Sequence, residues 1–308
     1  MNDNKVTNKD VLVLMSCYNG EKYLPQQLES LKAQEDVNMS CIIRDDGSSD
    51  GTVEYLTEYC KENKEFSLIT GENTGVIRSF NLLLEEALKT DCKWFAFSDQ
   101  DDVWLPNKLK RAVELLSERE TSEKKPLVYC SNLELVDADL NHIGYMRQPG
   151  LKFDKYTSVV QNCATGCTIV FNRSALEKYM EGIDADMEMH DYWMFLIGVF
   201  FGRVVYDNKA GILYRQHGNN VIGAKNQNIS GFVNNMSKTG NHERMFKDFL
   251  KIYGSSLSGD DISIIEGIAL ANKNILCRLR ALFDMRYHGY STKRTLNFKL
   301  RALLGKIY

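Results

Sequence analysis

The chain has 308 residues, a formal charge of −3, 44% hydrophobic and 26% charged residues, the profile of an ordinary soluble globular protein with enough length for a substantial core. That balance excludes a globally basic nucleic-acid binder, and no apolar run is long enough to span a bilayer. Eight cysteines at 17, 41, 60, 92, 130, 163, 167 and 277 show no CxxC spacing, and the polar first ten residues lack a signal-peptide pattern, so reduced, cytoplasmic usage is expected.

Residues 11–15 form an apolar β-type run that ends in Ser16, Cys17, Tyr18, Asn19 and Gly20, so a first buried strand delivers a polar loop. Leu24, Leu28 and Leu31 recur at helical spacing behind it, with Pro25 tolerable in the first turn. Residues 39–44 predict a second strand closed by Asp45, Asp46 and Gly47, and Val53, Leu56 and Tyr59 carry the next helix. Residues 66–70 predict a third strand, with Phe80, Leu83, Leu84, Ala87 and Leu88 marking the helix after it. Residues 94–97 (WFAF) predict a fourth strand, running into Ser98, Asp99, Gln100, Asp101 and Asp102. Strand, polar loop and helix thus repeat three times before Trp94, the pattern of a doubly wound α/β sheet whose loops gather at one edge.

Beyond Pro106 the spacing predicts a helix around residues 109–116, a strand at 127–130, a β-excursion over 133–145 and a strand over 165–171. A short helix over 174–180 and a strongly apolar helix from His190 to Phe201 follow, then strands at 203–206 and 212–214. Residues 224–239 turn polar and predict a flexible, lid-like segment, with helices after it. From Lys273 to Lys306 basic residues interleave with leucine and phenylalanine, a pattern that suits either an anionic membrane surface or a C-terminal cap with a basic polar face.

The carboxylates after residues 94–97 are hard oxygen donors at the carboxyl end of a buried strand, where Asp99 and Asp101 can both reach one Mn²⁺ or Mg²⁺. An acidic turn capping the next helix is the other reading. The Tyr18–Asn19 loop and the Asp45–Asp46 loop suit stacking on a base and accepting hydrogen bonds from it or from ribose. Dinucleotide binding is disfavoured because G-x-G-x-x-G is missing, and G-x-x-x-x-G-K-[ST] is absent too.

Residues 11–20 (VLVLMSCYNG), 42–52 (IIRDDGSSDGT), 72–75 and 97–109 (FSDQDDVWLPNKL), taken in that order, resemble a family 2 glycosyltransferase with the GT-A fold over about the first two thirds of the chain. The resemblance implies a Rossmann-like, mostly parallel sheet flanked by helices over residues 1–223; composition and pattern predict a flexible segment and a basic helical extension over 224–308. It implies Asp101 as the first metal ligand, Asp99 as a partner to metal or ribose, and Asp102 as a doubtful third. Tyr18 with Asp46 or Asp45 is expected against the base, in loops that also carry Ser16 and Asn19, and the backbone near Thr165 and Gly166 is expected to face donor sugar or acceptor. Asp191 matches the family's catalytic base, whereas His190 stands where Glu is more usual; an ordinary helix N-cap is the alternative there. The helix N-terminus is expected to keep Asp191 ionised. His217 resembles a late metal-completing histidine, with a structural hydrogen-bonding role as the alternative. Arg215 or Arg78 is considered for positive charge at the diphosphate, against a structural salt bridge for either.

Residues 98–104, 190–193 and 214–220 further resemble bacterial rhamnosyltransferases of polysaccharide assembly, which implies a dTDP-L-rhamnose donor and a saccharide or lipid-linked saccharide acceptor; the cysteine usage and the basic C-terminal pattern predict a location in the cytoplasm, or peripheral on the inner face of the cell membrane. A UDP-hexose donor and a silent carbohydrate- or nucleotide-binding module are the competing readings. An Asp-x-Asp phosphatase is disfavoured because residues 16–19 lack the nucleophilic Asp expected after the first strand.

Overall fold

The computed structural model describes residues 10–146, 153–216 and 241–307. The predicted flexible segment over 224–239 and His217 lie outside them. Strands β1 (Asp10–Cys17), β2 (Asn38–Asp45), β3 (Phe66–Thr70) and β4 (Trp94–Ser98) alternate with helices α1 (Leu24–Lys32), α2 (Thr52–Glu62) and α3 (Val76–Leu88). All neighbours among these four strands are parallel, in the order β4-β1-β2-β3. The chain continues through β5 (Val103–Trp104), α4 (Lys108–Ser117), β6 (Leu127–Ser131), β7 (Glu134–Val136), β8 (His142–Tyr145) and α5 (Lys155–Val160). Next come β9 (Val170–Asn172), α6 (Arg173–Met180), α7 (His190–Phe201), β10 (Arg203–Asp207) and β11 (Ile212–Arg215). Four helices close the described chain: α8 (Asn241–Tyr253), α9 (Gly259–Ala269), α10 (Ile275–Phe283) and α11 (Thr292–Leu304).

The main sheet has seven strands in the order β10-β6-β9-β4-β1-β2-β3, and only β9 runs against its neighbours. Successive side chains of a strand point to opposite faces, and both faces here are covered, which is why the strands are apolar at almost every position. Leu12, Leu14, Phe95 and Phe97 pack with Phe80 of α3 and with α6 and α7. Val11, Val13, Met15, Trp94 and Ala96 pack with Leu28 and Leu31 of α1 and with α4. A second, four-stranded sheet, β5-β11-β7-β8, pairs β5 antiparallel to β11 and thereby fixes the far end of the acidic loop.

The predicted strand over 165–171 is shorter than expected. Gly166–Thr168 forms a 3₁₀ turn, in which the Thr168 hydroxyl donates to the Thr165 carbonyl at 2.7 Å, and the strand begins only at Val170. Helix α7 is apolar around its whole circumference and correspondingly buried. Its outer side is covered by α8, where Phe249 meets Trp193 edge-on with centroids 5.1 Å apart. Truncating such an aromatic costs roughly 3–5 kcal/mol, so α8 is bound to α7 as core. No disulfide joins the cysteines of the described residues, and no helix of the described residues is long and apolar enough to cross a membrane.

Candidate active site

Three loops leave the carboxyl ends of β1, β2 and β4 and meet the start of α7 across a cleft of about 440 Å³, lined by Ser16, Tyr18, Asp46, Asp99, Asp101 and Asp191 among others. A larger groove of about 650 Å³ lies at the opposite end of the parallel strands, beside Lys93, Leu127 and Arg203. Its walls are surface ion pairs such as Lys93–Glu120 and Lys125–Glu123, and ligands of open α/β sheets bind at the carboxyl ends. The smaller cleft is therefore the candidate site.

The first loop is held by a residue that the sequence reading passed over. The Gln100 side chain accepts from the Tyr18 N–H at 2.7 Å and donates back to the Tyr18 carbonyl at 2.9 Å, clamping the β1 loop to the acidic loop. Gly20 permits the approach, since a Cβ there would meet Gln100 Oε1 at 2.5 Å. Tyr18 is left half-exposed at the cleft. Asn19, at φ 50°, does not line the cleft. Its N–H donates to Ser48 Oγ at 2.8 Å and its Oδ1 accepts from the Ser49 N–H at 2.8 Å, joining the two loops. Ser16 shares a 2.7 Å hydroxyl hydrogen bond with Ser79.

The two candidate aspartates after β2 have separate tasks. Asp45 is buried and closes its own turn, accepting from the Gly47 and Ser48 N–H groups at 3.1 and 2.9 Å, which leaves it behind the cleft wall. Asp46 reaches the cleft. Burial opposes its ionisation, but hydrogen bonds from Thr74, Arg44 and Gly75 outweigh that and hold its carboxyl below the usual range. Arg78 is exposed, pairs with Glu85 at 3.0 Å and is not part of the cleft lining.

In the acidic loop, burial, then the charges of Asp101 and Asp191, push Asp99 up to about 7. Asp102 turns inward instead: fully buried, it accepts from the Arg215 N–H at 3.4 Å, and burial followed by Asp101 and Asp99 raises it well above the carboxylate range. Ligand atoms of Asp99, Asp102 and Cys167 come within 4.8 Å of one another. Asp102 and Cys167 of that trio are buried behind the cleft, burial drives the Cys167 thiol up, and Lys108 beside them is lowered to about 7 by burial. Arg215 is buried and structural. It donates from Nε to the Asp101 carbonyl at 3.0 Å and from Nη2 to Gln26 at 2.6 Å, and it also reaches the Ala138 carbonyl, so it fixes the acidic loop to α1 and to the β7–β8 turn.

Asp191 sits in the first turn of α7, 4% exposed. Its Oδ1 accepts from Asn162 Nδ2 at 2.9 Å and its Oδ2 from the Gly166 N–H at 3.0 Å. Burial opposes the ionised form that the helix N-terminus favours; it outweighs the hydrogen bonds from Tyr192, Gly166 and Asn162 and raises Asp191 to about 7. His190 stacks on Phe80 at 3.8 Å and meets Phe97 edge-on at 4.8 Å. Burial lowers it to about 3, so it is neutral, and neither ring nitrogen has a partner among the described residues. The uncharged imidazole thus occupies an aromatic slot at the position where Glu was expected. Asn162 also escaped the sequence reading; a lone Asn just beyond the apolar end of α5 was its only signal.

Hard carboxylate oxygens, a loop pair suited to a base and a buried carboxylate tuned near 7 define a group-transfer site of the glycosyltransferase type. Residues 12–180 match the profile of Glycosyl transferase family 2, and the chain belongs to that family. It is 28% identical to the dTDP-rhamnosyl transferase RfbG of Shigella flexneri over 68% of this chain and 74% of that one. It is 26% identical to the Escherichia coli UDP-Glc:alpha-D-GlcNAc-diphosphoundecaprenol beta-1,3-glucosyltransferase WfgD over 60% and 68%. Among solved structures, S. aureus TarS in complex with UDP-GlcNAc superposes with a TM-score of 0.57 at 14% identity, over 96% of this chain and 92% of that one. The mannosyltransferase PcManGT of Pyrobaculum calidifontis, in complex with GDP-Man and Mn²⁺, gives 0.53 at 14% identity, over 96% and 85%. The shared fold is GT-A.

Proposed function

We propose that this glycosyltransferase moves L-rhamnose from dTDP-L-rhamnose to a hydroxyl of a saccharide or lipid-linked saccharide in the synthesis of a surface polysaccharide, with inversion at the anomeric carbon. The observation that carries the transfer chemistry is the meeting of Asp99 and Asp101 with Asp191 in one cleft, although they lie on elements about ninety residues apart. Asp191 accepts the proton of the acceptor hydroxyl as that oxygen bonds to the anomeric carbon. The bond from that carbon to the diphosphate oxygen breaks on the opposite face, and its electron pair leaves with the nucleoside diphosphate. A base near 7 suits this step, since it is substantially ionised at neutral pH yet basic enough to take the proton.

The donor set fits a divalent cation. Asp99 and Asp101 present oxygen ligands, and their mutual repulsion, which helps raise Asp99, is what a dication would relieve. Asp99 and Asp101 would hold Mn²⁺ or Mg²⁺, with His217 proposed as a further ligand. When bound, such an ion neutralises the charge that develops on the departing diphosphate. Tyr18, Asp46 and Gly166 line the cleft; Tyr18 and Asp46 are proposed to receive the nucleoside, and Gly166 the sugar or acceptor. A Cβ at Gly166 would stand 3.3 Å from His190 Nε2, so glycine keeps that wall open.

The rhamnose assignment draws on the Shigella relative, while the name of the E. coli relative supports a UDP-hexose and a lipid-diphosphate acceptor. Thermal stabilisation by dTDP-L-rhamnose, UDP-glucose, UDP-GlcNAc and GDP-mannose with Mn²⁺ separates these readings, because a ligand of the folded state raises its stability. The largest rise is expected from dTDP-L-rhamnose. A larger rise from a UDP-sugar moves the donor to that sugar, and a rise without nucleotide release from that sugar in the presence of an acceptor favours the silent binding module.

A further inference from the structure

We propose that the outward faces of α10 and α11 form a docking surface for an anionic lipid bilayer. Thirteen large hydrophobic side chains are exposed among the described residues, and nine of them lie between Ile275 and Leu304. They are ordered. Leu276, Leu279 and Phe283 follow one another at three- and four-residue steps along α10, and Leu296, Leu300 and Leu303 do the same along α11, with exposures from 41% to 73%. The opposite faces are already satisfied, since Ala281, Phe298 and Ala302 are buried in the apolar cluster that also contains α7 and α8. Each helix therefore has two apolar sides, one used by the protein and one turned out. A cap facing only water would carry polar residues on that second side.

Charge decides what covers it. From Lys273 to Lys306 the chain has nine basic residues and a single acidic one, Asp284, which is bridged by Arg286 at 2.7 Å. Exposed Lys273 lies just before α10, Lys293 and Arg294 open α11, and Lys306 follows it, so cations border the leucine stripes at their ends. A second copy pairing through the same patch would bring these cations against their equivalents. An anionic bilayer supplies the opposite sign at the rim and hydrocarbon at the centre. The mode is interfacial: α11 has 13 residues and its other face is packed in the protein, so it lies along the surface.

The test is sedimentation of the full chain with vesicles of phosphatidylglycerol and phosphatidylcholine, compared with phosphatidylcholine alone. The parent should pellet with the anionic vesicles, less so in high salt, and stay in solution with the neutral ones. Leu276→Ser/Phe283→Ser/Leu300→Ser should lower that partitioning by roughly tenfold or more while melting with the parent, because all three side chains are exposed. Lys293→Glu/Arg294→Glu, which removes no apolar surface, should lower it several-fold at low salt only. Equal sedimentation of the parent and the triple variant, or a parent that pellets with neither vesicle, overturns the proposal. A concentration-dependent dimer in analytical ultracentrifugation, lost in the triple variant and formed by a parent that ignores vesicles, assigns the face to a second copy instead.

Discussion

Two carboxylates of one cleft, Asp99 and Asp191, are each raised to about 7 chiefly by burial and differ in their other neighbours. At the acidic loop, Asp99 is raised by burial and then by the charges of Asp101 and Asp191. At the start of α7, Asp191 is raised by burial against three hydrogen bonds that favour its ionised form, with Glu188 a minor contributor. Neighbouring negative charge is relieved by a cation, which stabilises both carboxylates at once. Desolvation inside an aromatic and backbone wall is relieved by a proton. On the proposed assignment the secondary neighbours separate the two: the charge of Asp101 beside Asp99 suits a metal-binding aspartate, and the hydrogen-bond donors around Asp191 suit a general base.

The largest expected effect tests the α7 side of this contrast. Asp191→Asn keeps the shape of the side chain and removes the proton acceptor, so turnover should fall by roughly 10²–10⁴-fold while donor affinity, measured by calorimetry, stays at the parent value. In the parent, log kcat should climb with pH, because only the ionised form accepts a proton, and level off above about 7. A flat profile between pH 5 and 8, or an Asn variant that turns over at the parent rate, takes the base role from Asp191.

The acidic loop is expected to answer to metal instead. Asp101→Ala should weaken Mn²⁺-dependent donor binding by about 100-fold or more, whereas Asp102→Asn, which alters a residue turned away from the cleft, should weaken it by about tenfold, the scale of a supporting partner. Titration of the donor at several Mn²⁺ concentrations provides the comparison. If both variants lose the same affinity, Asp102 belongs with the ligands and the assignment of cleft and interior sides is wrong.

The four parallel strands and their helices were legible because each strand is an unbroken apolar run ended by turn-forming residues, and each helix repeats leucine or phenylalanine every three or four positions. The candidate residues that reach the cleft were legible for the same reason, since Ser16 lies near the end of β1 and Asp46 and Asp99 directly follow β2 and β4. What escaped depends on partners remote in sequence. Gln100 matters through a loop 82 positions away and Asn162 through a carboxylate 29 positions away, and no local pattern encodes either pairing. Asn19 and Asp45 looked like ligand contacts because polar turn residues at a strand end can serve either a ligand or the turn itself. Here both serve the turn, one by bridging two loops and one by holding successive N–H groups.

The smallest effect turns the α7 contrast into a stability measurement. Asp191 titrates at an ordinary 3.8 when unfolded and at about 7 in the folded chain. Between these values the folded state binds more protons than the unfolded state, so stability falls as pH rises through that window and the full penalty is in place above about 7. The gap corresponds to roughly 4 kcal/mol as an upper figure. Asn escapes it but gives up one of the two acceptor contacts, to Asn162 or to Gly166, which costs about 1 kcal/mol. A net gain of a few kcal/mol at most raises Tm by several degrees in a chain of this size, about 2–4 °C per kcal/mol. Asp191→Asn should therefore melt above the parent at pH 8 and level with it or slightly below at pH 4. A constant difference across that range would mean that the folded-state carboxyl titrates where an unfolded one does, and that hydrogen bonds from Gly166, Asn162 and Tyr192 cancel the burial around it.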